Sequence, residues 1–156
     1  MAYWLFKTEP DSFSIDSLRT QKVSPWEGVR NYQARNWLRD QVKQGDKVLI
    51  YHSSCKNIGV AGIAEVVREA YVDHFAFDPA SDYFDPKSNP EAPRWVMVDV
   101  AFVRKTKRLI SLSELKLLPE LVDLPLIKKG NRLSIMPLSE REWQAILTRE
   151  TPTRGG

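Results

Sequence analysis

Apolar positions along this chain switch repeatedly between the spacing of a strand and the spacing of a helix. YWLF (3–6) reads as a short aromatic-rich strand that runs into the polar turn KTEP (7–10). Ser14 predicts the cap of a short helix through about Arg19, with Ile15 and Leu18 facing inward. Ser24 and Pro25 read as a loop leading into WEGVRNYQARNWL (26–38). Within it Asn31 predicts a helix N-cap, and Ala34, Leu38 and Val42 recur four residues apart, which lays one helix face against a core. Gly45 and Asp46 are expected to end that helix, and KVLIYHS (47–53) follows as a β-branched and aromatic strand.

Residues 58–72 read as one long bent strand, because their two glycines permit close approach and sharp curvature. Residues 73–93 hold Pro79, Pro86, Pro90 and Pro93 among acidic and aromatic side chains, which predicts a long, ordered surface loop. Residues 94–103 form a second strong strand. Val96, Val98, Val100 and Phe102 alternate onto one face, and Trp95, Met97 and Ala101 make the other largely apolar. Ser111 with Glu114, and Ser139 with Glu142, are two capping boxes that each open a helix; the second helix carries Trp143, Ile146 and Leu147 at helical spacing. Between them NRLSIMP (131–137) alternates like a strand. Strong strands with helices at either end predict the α+β class, a small curved sheet or β-barrel flanked by helices.

A length of 156 residues, 42% of them hydrophobic, suits one domain over residues 1–150, with TPTRGG (151–156) as a disordered tail. Cys55 is the only cysteine, so no disulfide framework is possible and a reducing cytoplasm is expected. No apolar run reaches membrane-spanning length and the start lacks a signal-sequence pattern, so no membrane is expected as a partner. Net charge is +3, which is compatible with nucleic acid without proving it.

Enzyme constellations are scarce. His52 and His74 make no metal-ligand spacing with Cys55, and no phosphate loop, nucleophile elbow or dinucleotide fingerprint occurs. His52 stands too close in sequence to Ser53 and Ser54 for a hydrolytic triad. No catalytic residue, metal or cofactor is expected. Binding has better support. Trp26 and Tyr32 bracket a helix start whose free N–H groups, beside Arg30, suit an anion or a carbonyl-rich base edge. Arg30, Arg35, Arg94, Arg104, Lys105, Lys107, Arg108, Lys128, Lys129 and Arg132 form basic clusters able to displace counterions from a phosphate backbone. A base taken out of its stack is held by aromatic stacking together with hydrogen bonds to its edge.

The stretches YWLFKTEP (3–10), WEGVRNYQARN (26–36), YHSS (51–54), DYFDPKS (82–88), PRW (93–95) and RLSIMP (132–137) resemble, in order, the motifs of the EVE-domain family, which has many small bacterial members. The resemblance implies a PUA-like fold related to the YTH readers of methylated adenine. It also implies a non-enzymatic reader of modified bases in DNA or RNA, with a basic cleft leading to an aromatic pocket and no obligate protein partner evident. Carried over residue by residue, it makes Trp26 the stacking wall and Tyr32 a second wall or lid. Asn31, His52 and Ser53 would face the base edge, and Ser134 and Met136 would close the floor. Lys7, Arg30 and Arg132 would meet phosphate or an acidic ligand group, with Arg35, Arg104, Lys105, Lys107, Lys128 and Lys129 along the nucleic-acid backbone. Glu9 is a candidate partner for Lys7 or Arg30. On this reading Trp26→Ala weakens binding and leaves the melting temperature within a few degrees. The alternatives are an enzyme acting on nucleotides or RNA, and a protein-interaction adaptor using the proline-rich loop.

Overall fold

The computed structural model describes residues 1–150; the tail expected over 151–156 lies outside the described residues. Six strands and four helices follow one another as β1 (Tyr3–Thr8), α1 (Ile15–Gln21), β2 (Val23–Pro25), α2 (Tyr32–Asp40), β3 (Lys47–His52), β4 (Gly59–Val72), β5 (Val96–Ser111), α3 (Leu112–Leu115), β6 (Ile135–Leu138) and α4 (Glu140–Thr148). They make one mixed sheet in the order β2-β5-β4-β3-β1-β6, in which β1 and β3 are parallel and every other pairing is antiparallel. No helix among the described residues is long and apolar enough to cross a membrane.

Strand alternation sorts the core into two layers. Trp4, Phe6, Val48 and Ile50 join Ile15, Leu18, Ala34 and Leu38, so α1 and α2 cover one face. Their sequence neighbours Leu5, Leu49 and Tyr51 join Leu115, Trp143 and Ile146, so α3 and α4 cover the other. The caps form as their residue types dictate. Ser14, Asn31, Ser111 and Ser139 each accept from a backbone N–H of the first turn, and both predicted Ser–Glu capping boxes are present.

Four expectations need correction. The sheet is α+β but open: among the described residues no pairing joins β2 to β6, so it is not a closed barrel. Both edges carry a proline, Pro25 in β2 and Pro137 in β6, which lacks the N–H that further pairing would use. Ser24 and Pro25, read as loop, belong to the short strand β2, in register with Val100 and Asp99 of β5. The main helix stops at Asp40, where Gln41 and Val42 both donate to the Trp37 carbonyl. Buried Asp46 captures the following turn by accepting from Lys43 N, Ala2 N and Trp4 Nε1, each at 2.9 Å. Finally β5 continues to Ser111, because Thr106 and Ile110 turn inward within a stretch that otherwise reads as basic and exposed.

The long strand does bend. Its register against β5 shifts beside Gly62, where a Cβ would lie 2.4 Å from the Ile15 side chain, so α1 packs directly onto bare backbone.

Away from the cavity described below, Arg108 chelates Glu114, and that ion pair holds the Glu114 carboxyl at about 2 against its usual 4.5. A depressed carboxyl stabilises the fold fully above its unfolded value, and that contribution is lost as pH falls through the folded one. Glu114→Gln is therefore expected to flatten the decline in melting temperature between pH 4.5 and about 2. An acid limb identical to that of the parent protein contradicts the assignment.

Candidate functional site

The carboxyl ends of the two parallel strands and the entry to β6 come together at one end of the sheet. Ser53 N donates to Thr8 O at 2.9 Å and Lys7 N donates to Ser134 O at 2.8 Å, which fixes three chain segments around a common rim. The segment leaving β2 and the tip of the long loop complete the enclosure. The result is a cavity of about 600 Å³, lined by Lys7, Thr8 and Glu9, by Phe13, by Trp26 to Val29, by Ser53 and Ser54, by Asp82 and Tyr83, and by Arg132 to Ser134. That volume falls in the range of small-ligand sites.

Trp26 serves two structures at once. It is only 6% exposed, its backbone N–H donates to Val98 O at 2.7 Å, and its indole lies 5.4 Å from Phe6 and 5.9 Å from Phe13. Another part of the residue lines the cavity. Trp26 is therefore a core residue that also lines the cavity, and its truncation is expected to cost stability, unlike the expectation drawn from sequence.

The second aromatic wall is Tyr83. Gly28 has φ +86°, and a Cβ there would lie 2.4 Å from the Tyr83 ring, so only glycine lets that ring approach. A buried clamp holds the arrangement. Asp73 is fully buried; its Oδ2 accepts from Gly28 N and from Arg30 Nη1, each at 2.9 Å, and its Oδ1 accepts from Phe75 N at 3.0 Å. Arg30 in turn donates to Tyr83 O through Nη2 at 2.7 Å and Nε at 3.2 Å.

Of the residues expected at the ligand, Lys7, Trp26, Ser53, Ser134 and Arg132 line the cavity, and the other five, Arg30, Asn31, Tyr32, His52 and Met136, do not. Arg30 spends its donors on Asp73, Tyr83 O and Val29 O, and borders a separate hollow beside Phe84 and Trp95. Asn31 accepts from Ala34 N at 3.0 Å, so the start of α2 is capped by its own side chain and does not reach the cavity. Tyr32 is 52% exposed, stacks on Trp95 at 4.9 Å, and accepts from Arg94 Nη1 at 3.2 Å. His52 Nε2 accepts from Ile15 N at 3.1 Å, and burial pulls the imidazole down, which suits a neutral acceptor supporting α1. Met136 is fully buried, paired with Leu5 in the layer covered by α3 and α4, whereas Ser134 precedes β6 and lines the cavity at the end of the sheet.

The backbone cations divide as well. Arg35 donates to Arg94 O and Asn36, Arg104 chelates Glu150, and Lys105 pairs with Asp16 at 2.9 Å. Lys107 is exposed on the same strand. Lys128, Lys129 and Arg132 are exposed and make no ion pair among the described residues; they lie on the segment that forms the cavity rim.

Sequence reasoning missed Glu27, Phe13 and Tyr83. Burial pushes the Glu27 carboxyl up, and the charge of Asp73 adds to this against its own backbone N–H, Arg30 and His74. Burial likewise pulls the Lys7 amine down and pushes the Tyr83 phenol up, the latter helped by Glu27. The site thus offers flat aromatic surface, serine hydroxyls, a basic rim and one carboxyl inclined to keep its proton. It can hold a planar polar ring whose chain of phosphates remains outside.

The sequence profile of the EVE domain matches residues 2–149. Human thymocyte nuclear protein 1 is 42% identical over 168 residues, covering 96% of this chain and 74% of that protein. The structure of the human THYN1 protein in complex with 5-methylcytosine-containing DNA superposes with a TM-score of 0.92 at 41% identity, covering 98% of this chain and 99% of the other. A Pseudomonas syringae protein superposes with a TM-score of 0.93 at 47% identity, over 96% of this chain and all of that one. The YTH domain of a Zygosaccharomyces rouxii protein, solved with N6-methyladenosine RNA, has a TM-score of 0.54 at 12% identity over 96% of this chain and 86% of that one, a likeness of fold alone.

Proposed function

We propose, for a chain that belongs to the EVE-domain family, that it is a nucleic-acid-binding module which takes a single modified base into the Trp26 cavity without chemically altering it. One observation carries the reading: a cavity of about 600 Å³ has Trp26, Tyr83 and the cations Lys7 and Arg132 in its lining. Stacking contributes about 1–3 kcal/mol per base and extrusion costs a few, so edge contacts inside the cavity decide the balance. The relative solved with 5-methylcytosine-containing DNA supports a methylated base as ligand. The proposed partner is DNA or RNA carrying such a base, the acting unit residues 1–150, and the proposed location the cytoplasm, where one unpaired cysteine is at home.

The test is a binding screen over oligonucleotides that differ at one modified base, in DNA and RNA series. The proposal expects salt-dependent binding with a clear preference for one modified base, and equal affinity for all members contradicts it. In the same screen, reversing charge at Lys128 and Lys129 should lower affinity for every sequence alike and reduce the salt slope by roughly 1–2. Loss confined to one base type would show those lysines to be something other than phosphate contacts.

A further inference from the structure

We propose that Glu27 reads the edge of the base held in the cavity, its carboxyl giving one hydrogen bond and accepting another. This rests on the reading of the cavity as a base site. Its ground is the company Glu27 keeps. Other carboxylates withdrawn from solvent in this chain have donors from elsewhere: Asp46 has Trp4, Asp73 has Gly28 and Arg30, Asp85 has Trp95, Glu114 has Arg108 and Glu150 has Arg104. Glu27 lines the cavity next to its stacking wall, is mostly withdrawn from water, and has no hydrogen-bond partner from another residue among the described residues. A carboxyl so placed costs free energy until a ligand supplies its partners.

Burial first, and then the charge of Asp73, favour the protonated form. Asp73 lies near enough to oppose ionisation, and Glu9 and Asp82 line the same cavity. Arg30 and His74 act the other way, but Arg30 is committed to Asp73 and to Tyr83 O, while Lys7 and Arg132 stand where the rim meets β1 and β6. A neutral carboxyl presents a donor beside an acceptor. That pattern matches a base edge on which an amino group adjoins a ring nitrogen, as in cytosine, so the base binds the protonated carboxyl in preference to the ionised one.

Binding of a DNA oligonucleotide with one 5-methylcytosine, titrated from pH 5.5 to 8.5, separates the possibilities. Wild-type affinity is expected to fall by up to about tenfold per pH unit above the Glu27 transition. Glu27→Gln, which keeps a donor and an acceptor but cannot ionise, should bind with a nearly flat profile. Glu27→Leu should lose about tenfold or more relative to wild type below the Glu27 transition, with a flat profile and its melting temperature little changed. Parallel profiles for wild type and Glu27→Gln, or wild-type affinity in Glu27→Leu, overturn the proposal. If wild type prefers the methylated oligonucleotide and the Glu27 variants keep that preference and the wild-type pH profile, the base site survives and this inference alone fails. If wild type shows no preference for any modified base, both fall.

Discussion

Trp26→Ala is expected to weaken binding of the preferred oligonucleotide by about 10- to 100-fold and to lower the melting temperature by roughly 10 °C or more. The first figure follows from the loss of one stacking surface. The second follows from its burial: at 6% exposure, packed between Phe6 and Phe13, the indole cannot be removed without opening the core. Truncating a buried tryptophan costs about 3–5 kcal/mol, and each kcal/mol shifts the midpoint of a chain this size by about 2–4 °C. Trp26→Phe keeps a ring in place, so it should retain most of the stability and lose only part of the affinity. Thermal melts and binding titrations of the two variants separate the two roles. A folded Trp26→Ala protein with undiminished affinity would remove the indole from the binding site.

Asp73→Ala is expected to cost about 3 kcal/mol, although the side chain never touches the cavity. Its removal strands the Gly28 N–H and the Arg30 guanidinium, both of which end on Oδ2. The Arg30 side chain remains 24% exposed and recovers some hydration, so the lower end of the range for broken buried pairs applies. The same loss leaves Arg30, which holds the Tyr83 carbonyl, without its own anchor and lets the second aromatic wall drift, so affinity should fall with stability. Asp73→Asn keeps an acceptor for Gly28 but no charge for Arg30, and should lie between. Melting curves give the stability, and hydrogen exchange at the Tyr83 loop gives the mobility. Unchanged exchange in Asp73→Ala would show that the clamp does not position that wall.

Local chemistry made most of the fold legible. The Ser14, Asn31, Ser111 and Ser139 caps each depend on residues within three positions, and each forms as its spacing implies. Strand alternation likewise anticipated which of Val96, Val98, Val100 and Phe102 would meet the same core. What escaped was decided at long range. Pro25 is an edge-strand residue only because Asp99 lies opposite, and Asp46 ends a turn only because Trp4 and Ala2 reach it from across the sheet.

The candidate site divides along the same line. Trp26 and Ser53 sit next to turns visible in the sequence, and Lys7 ends the first strand. Arg30 and Asn31 occupy the same motif, yet their polar groups are consumed by Asp73 and by the α2 backbone, partners that a residue's type does not reveal. Tyr83 lies 55 positions from Gly28, and nothing local ties a loop aromatic to a glycine so distant; its signal was the missing side chain at Gly28. Glu27 carries no local signal, because its burial, which pushes its carboxyl up, depends on Asp73 and on the distant segments that close the cavity.

The most direct measurement is a crystal structure of this chain with a duplex carrying one 5-methylcytosine. A base site walled by indole predicts the methylated base turned out of the helix, stacked on Trp26 beneath Tyr83, with the flanking phosphates at Lys7 and Arg132. A base still paired within the duplex, or DNA seated on another face with the cavity vacant, contradicts it.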